Sequence, residues 1–300
     1  MTAFQRAYRL TVGTVEIDAL RGVGLNSLHI AFSVERDIKR HPNNAEIAIW
    51  NLSSTSRAAL AKLTNVPVRL EAGYVDDVGV IFQGDLRSAR SRREGTDIIT
   101  RVAGGDGEVK IRTARINRTF AKGTPIGTVI RDLGQALGVG EGNLRQFTGA
   151  TLANGSKTLS RSLTIRGSVF DELEHVTRSC GLEWSVQDSA LQIRDAGAPV
   201  GDRQGPLLRP DSGLIGDLEL ETVTKVTKDA KGFTEKAGFA LGETRVSGRA
   251  LLRQDLIPGV PFRVETEAFR GNLVCTATVH AGDSHSTDQW CVDWTGRPYK

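Results

Sequence analysis

A period of two runs through both ends of this 300-residue chain. In "YRLTV", "SLHIAFSVER", "AEIAIWNLS", "VPVRLEAGY" and "DIITRVAGG", apolar or β-branched residues alternate with polar ones, and Gly, Asn and Asp separate the runs. Alternation sends successive side chains to opposite faces, so each run reads as a half-buried strand. The pattern returns after Asp211 in "LELETVTKV", "GRALLRQD", "PFRVETEA", "LVCTATVHAG" and "QWCVDWTG". A count of 33 glycines against 9 prolines suits many tight turns between short strands.

The helical period appears mainly between these ends. Ser53 or Ser54 can cap a short helix, "TSRAALAKL", whose Leu60 and Leu63 share a face, and "HPNN" at His41–Asn44 reads as a turn. Further on, Thr124 is a cap with Pro125 at the first helical position, and Ile126, Ile130, Leu133 and Leu137 line one face up to Gly138. Ser168 caps a second helix with Val169, Leu173, Val176 and Cys180 on one side, closed by Gly181. A hairpin follows in "GLEWSVQDSALQIRDAG". Leu182, Trp184 and Val186 alternate with polar residues, Asp188-Ser189 turns the chain, and Trp184 is the expected packing anchor against Val169, Leu173 and Val176.

The expected class is therefore mainly β with an α+β part. Two β-barrel-like domains, residues 1–110 and 201–300, flank a small α+β domain over residues 111–200. The outer domains are expected to share a topology. Residues 198–210, rich in Gly and Pro, read as a linker, and the stretch around Lys231–Leu241 as a long mobile loop.

Few function classes survive inspection. The net charge of +4 is too small to imply nucleic-acid binding by itself. No run approaches the roughly 20 apolar residues of a membrane span, so no membrane insertion is expected. The opening "MTAFQRAYRLTV" lacks the apolar core of a signal peptide, and Cys180, Cys275 and Cys291 are scattered as reduced cysteines are. "GATLANGSKT" fails as a phosphate loop because Ser156 stands where Lys is needed, and "GVGEG" lacks the strand and helix of a dinucleotide site. His280, Asp283 and His285 are close in sequence. On a strand the two histidines face opposite ways, which favours a polar turn over a metal loop. Asp171 and Glu172 suit a helix N-terminus and, as neighbours, cannot form an acid/base couple. No catalytic residue, cofactor site or metal site is expected.

Charge is unevenly spread. Between Arg87 and Arg118 nine basic residues face four acidic ones, a local excess of five that is larger than the excess of the whole chain. "RSARSRREG" has no interleaved aromatics for stacking on bases. Arg87, Arg90, Arg92 and Arg93 are read as a solvated hairpin edge that discourages stray strand pairing, or as an interface to an acidic protein surface.

As a set, these segments resemble a known family. "AFSVER" followed by "AEIAIWNLS" and a capped helix resembles the opening of tailed-phage hub and tail proteins. "GSVFDELEHVTRSCGLEWSVQDSALQI" resembles the middle domain of baseplate hub proteins, and "SGLIGDLELE", "GRALLRQDLIPGVPFRVETEAFRG" and "VHAGDSHSTDQWCVDW" resemble their last β domain. The resemblance implies a structural, non-enzymatic protein whose homotrimer forms a six-barrel ring between the tail tube and the central spike. The middle domain would widen the trimer around the channel. It implies other baseplate proteins as neighbours, DNA only as passing cargo, and a place in the virion tail after assembly in the host cytoplasm. A tailocin or contractile injection hub is the alternative, with a wall-degrading tail enzyme behind it.

Overall fold

Alternating apolar residues can be buried only if their strands share a core, and three such cores organise this chain. The computed structural model describes residues 4–144, 150, 155–200, 204–223, 243–287 and 289–299. The first part contains β1 (Arg6–Val12), β2 (Val15–Asp18), β3 (Ile30–Asp37), β4 (Asn44–Trp50), α1 (Ser54–Leu60), β5 (Pro67–Tyr74), β6 (Asp77–Glu94) and β7 (Asp97–Gly105). The middle part contains α2 (Glu108–Thr113), β8 (Arg115–Phe120), α3 (Ile126–Leu137), β9 (Leu163–Ser168), α4 (Val169–Ser179), β10 (Leu182–Gln187) and β11 (Ala190–Asp195). The last part contains β12 (Leu207–Leu208), β13 (Leu214–Val223), β14 (Glu243–Leu251), β15 (Pro261–Glu265), β16 (Arg270–Asp283) and β17 (Trp290–Pro298).

The fold is mainly β, and its principal sheet is continuous from one end of the chain to the other. Its strands run in the order β13-β14-β17-β16-β3-β4-β7-β6-β5-β1-β2, with β15 on β16 and β12 on β15. The ladder is open, with β2 and β13 at its ends, and no closed barrel forms among the described residues. Within this sheet the strand order repeats. The path β3-β4-β7-β6-β5-β1 in the first half is followed step for step by β13-β14-β17-β16-β15-β12 in the second. The long members match in detail, because β6 shifts register between Leu86 and Ser88 and β16 between Cys275 and Ala277. The halves differ in that β2 has no counterpart, that the two-residue β12 lies parallel to β15 where β1 is antiparallel to β5, and that the register shifts of β5–β6 at Leu70/Glu71 and of β13–β14 at Ile215/Glu219 are not repeated.

The halves are joined by β3 and β16, antiparallel from Ala31↔Asp283 to Asp37↔Ala277. Side chains reinforce this joint. Leu252 and Trp290, from the second half, are buried in the core of the first with Tyr8, Ile30, Ile47, Leu70 and Phe82. The Trp290 Nε1–H donates to the Gly73 carbonyl at 2.9 Å. The Arg6 guanidinium donates to the carbonyls of Asp283, Ser286 and Thr287. The second half has its own core of Val246, Ala250, Phe262, Val264, Leu273 and Trp294.

The middle part forms as its sequence implies, with corrections. α3 buries Ile126, Ile130, Leu133 and Leu137, and Gly138 ends it in the left-handed conformation at φ 75°. Pro125, however, is the cap itself and not the first helical residue, and the Thr124 hydroxyl turns back to the Ala121 carbonyl. A cap needs no N–H of its own, so proline is tolerated there as well as one residue later. α4 is capped by the Ser168 hydroxyl, which accepts from the Asp171 N–H. Residues 198–210 are less of a linker than their composition implies. The Val200 and Gly205 N–H groups donate to the Gly259 and Pro261 carbonyls, and Leu208 is fully buried. The Lys231–Leu241 stretch lies outside the described residues, as does half of "GATLANGSKT".

The β10–β11 hairpin is the element whose surroundings differ most from expectation. Asp188 and Ser189 both have positive φ (52° and 61°), the geometry of a two-residue type I′ turn. Leu182, Trp184, Val186, Leu191 and Ile193 face α3 and α4. Ser185, Gln187, Gln192 and Arg194 on the other face are buried too, because that face lies against the principal sheet. Trp184 is 3% exposed in one cluster with Val169, Leu173 and Val176, and its Nε1–H donates to Glu174 at 3.1 Å. Replacing Trp184 with Ala is expected to cost roughly 3–5 kcal/mol, the usual loss for deleting a buried aromatic. Urea denaturation of the variant checks this, and an unchanged midpoint overturns the anchoring role.

Candidate assembly surfaces

The outward side of that hairpin ends in a buried polar joint. β3 places Ile30, Phe32, Val34 and Arg36 on its inward side, so a guanidinium falls where the alternation calls for an apolar group. Arg36 is 3% exposed. Its Nη2 lies 2.8 Å from the Asp188 carboxylate at the hairpin tip, its Nη1 donates to the Ile81 carbonyl, and Gln187 Oε1 accepts from it. Asn43 donates to Gln187, to the Val186 carbonyl and to Asp106, and Asp106 accepts the Ser189 N–H at 2.7 Å. Five polar side chains thus fix the hairpin tip to the sheet. Removing one partner of such a buried pair leaves the other charge uncompensated, a loss of roughly 3–5 kcal/mol.

Two groups near this joint titrate abnormally and in opposite directions. Burial, and after it the Asp188 carboxylate, pushes Asp106 up to about 6 from 3.8. Burial, and after it the Arg36 charge, pushes His280 down to about 3 from 6.5. A raised carboxyl stabilises the fold fully below 3.8, and that contribution is lost as pH rises through about 6. A depressed imidazole stabilises it above 6.5, and that contribution is lost as pH falls toward 3. Between about pH 4 and 6 the two slopes oppose each other, at up to about 1.4 kcal/mol per pH unit each. Asp106→Asn removes one of them. Unfolding free energy of the variant is expected to fall more steeply than wild type from pH 6 to pH 4. Equal slopes in urea titrations across that range contradict the assignment.

His280 does not meet its sequence neighbours. It is fully buried with Nε2 3.1 Å from the Arg253 carbonyl. Asp283 instead holds His29 at 2.8 Å and accepts the His285 and Ser286 N–H groups, which makes the polar turn. His29 stacks on Trp50 with centroids 3.8 Å apart. Among the described residues no three His, Cys, Asp or Glu gather as a metal site.

The basic stretch is a projecting arm. β5 accompanies β6 only as far as Asp85, and from Ser88 to Glu94 β6 pairs with β7 alone. Its other edge is open among the described residues. Arg87 is exposed but engaged within the chain, 2.7 Å from Glu108 and bonded to Asn44 Oδ1. Arg90, Arg92 and Arg93 are exposed and have no ion-pair partner among the described residues, whereas Arg101 pairs with Glu94. At the far end of the sheet, β13 carries Asp217, Glu219 and Glu221 with no basic residue, and Ile215 and Leu220 are exposed. The sequence offered one signal for the polar joint, a charged residue at the inward parity of β3. It offered none for the acidic edge strand. A third surface feature is a groove of about 710 Å³ between the hairpin, β3, β14 and β17, where Arg40 pairs with Glu174 and Arg194 with Glu183. No described helix is long and apolar enough to cross a membrane.

No family model and no curated protein matches the sequence. Solved structures do match its fold. The 43 kDa tail protein of prophage MuSo2 from Shewanella oneidensis aligns over 97% of this chain and 96% of its own, at a TM-score of 0.61 and 8% identity. A tail protein from Neisseria meningitidis aligns over 98% and 97%, with a TM-score of 0.59 and 11% identity. An Escherichia coli component of the type VI secretion system, described as structurally similar to the T4 tail proteins gp27 and gp5, covers 97% of this chain and 77% of its own, with a TM-score of 0.55 and 10% identity. These likenesses define the fold: the chain is folded as these tail and tail-like proteins are.

Proposed function

We propose that the protein is a structural baseplate hub, a homotrimeric ring that joins the tail tube to the central spike and lines the DNA channel. The end-to-end fold likeness to prophage tail proteins carries this reading. The strand repeat supports it. A chain with two halves of one strand order lets three copies present six similar units, which suits a sixfold tube on one side and a threefold spike on the other. Residues 1–110 and 201–300 act as the two ring-forming units, each a curled sheet in a barrel-like role, and residues 111–200 widen the ring. Arg90, Arg92 and Arg93 serve contacts between proteins, where charge contributes orientation more than strength. Arg87 serves within the chain. The ring sits in the tail of the virion after assembly in the host cytoplasm, with tube, spike and baseplate proteins as neighbours and DNA as passing cargo. The protein is not an enzyme in this reading.

The likeness to a type VI secretion component favours one alternative, the same hub in a tailocin or contractile injection system. A wall-degrading tail enzyme has no specific observation in its favour. Light scattering on the purified protein, with negative-stain imaging, tests the proposal. The expected result is a three-copy ring with a central opening. A folded monomer at high concentration overturns it.

A further inference from the structure

The internal repeat can be read as a docking instruction. Inside the chain, the halves meet where β16, beyond its register shift, pairs with β3. In the repeat, β16 corresponds to β6 and β3 to β13. Among the described residues, β6 beyond its own shift, Ser88–Glu94, has an open edge, and so does β13 at the end of the sheet. Each strand edge that forms the internal joint therefore has a counterpart edge left open among the described residues. From this, and building on the ring reading above, we propose that β6 of one copy pairs antiparallel with β13 of the next, repeating between copies the β16–β3 joint within each.

The register follows without adjustment. In the first half, Ser88 lies opposite Ala103, Ala103 opposite Glu46, and Glu46 opposite Ser33. In the second half, Ala277 lies opposite Thr295, Thr295 opposite Ser247, and Ser247 opposite Glu219. Ser88 is thus the equivalent of Ala277, and Ser33 of Glu219. The internal joint sets Ala281 opposite Ser33 and Val279 opposite Glu35. Carried over to the open edges, the same register sets Arg92 of one copy opposite Glu219 of the next, and Arg90 opposite Glu221. Residues directly opposite share a face and approach closely, so both pairs bring opposite charges together. The internal joint has no such pairs. Charge at the outer joint makes it selective and keeps each edge from pairing with itself, since arginine would then meet arginine and glutamate would meet glutamate.

The exposed side chains agree. Ile215 and Leu220 are among the few large apolar residues left exposed, and both lie on β13. An edge strand with exposed apolar residues is a liability unless a partner covers it. Glu221 lies 3.6 Å from Arg245 in the same chain, and both remain more than half exposed, so an incoming Arg90 can share the carboxylate. A contact that joins one patch to a different patch is head-to-tail, and it closes into a ring when the rotation permits.

The test uses the full chain. Arg90→Glu with Arg92→Glu, and separately Glu219→Arg with Glu221→Arg, are each expected to abolish the oligomer in light scattering while melting as wild type does. The four substitutions combined are expected to restore it. Arg92→Cys with Glu219→Cys is expected to give disulfide-linked multimers on oxidation, and Arg92→Cys with Leu220→Cys, whose side chains leave opposite faces, is expected to give none. If wild type forms a ring that survives both reversals and the first cysteine pair does not cross-link, the strand pairing is wrong and the hub reading stands. If wild type is a folded monomer, both fail.

Discussion

The ladder between β3 and β16 is the constraint on which the rest of the structure depends. Two half-sheets with separate cores become one sheet there, and almost everything nearby serves the same seam. Trp290 and Leu252 cross it to enter the first core, and Arg6 reaches over it to three carbonyls. Arg36, on β3 within the seam, extends the joint to a third body by holding the hairpin tip through Asp188. A buried guanidinium is tolerated because its donors find carbonyl, amide and carboxylate acceptors at once. Charges of this kind contribute less to raw stability than to a single arrangement of parts.

This explains what the hairpin does. It is covered on one face by the α3–α4 core and on the other by the sheet, with Trp184 inside the first contact and Gln187 and Asp188 inside the second. A half-buried strand pattern describes its apolar face alone. The middle part is therefore oriented by polar bonds to the sheet while it is stabilised by its own apolar core. Asp106, at the entrance to α2, belongs to the same set of bonds.

Much of the local structure was legible in the sequence. Period-two runs gave strands, Gly138 and Gly181 ended helices in the left-handed conformation, and Asp188-Ser189 gave the turn. What could not be read was long-range. Val279 and Arg90 occupy equivalent places in the repeat, as do Ser33 and Glu219, and no comparison of residue types reveals such pairs. Strand order is carried by backbone hydrogen bonds, which any side chain permits. The linker reading of residues 198–210 misses, for a related reason, that among the described residues two short backbone links and one buried Leu208 bind a segment whose composition suggests freedom. Arg36 was visible as a charge at an inward position, yet nothing in sequence indicates that its partner lies at Asp188.

The span of the β3–β16 ladder also bears on how the chain acquires its fold. β3 (Ile30–Asp37) is made well over two hundred residues before β16 (Arg270–Asp283). At roughly 5–20 residues per second, β16 emerges on the order of ten to fifty seconds after β3. Throughout that interval the side of β3 that faces β16 has no permanent neighbour, and neither Trp290 nor Leu252 is present to complete the first core. The first half must therefore wait in a compact but unfinished state, at the mercy of other nascent chains. Contacts between distant parts of a chain form late in any case. Here β16 and β17 act as a lock, so a chain that stops short of β16 keeps an exposed sheet edge and a short lifetime in the cell.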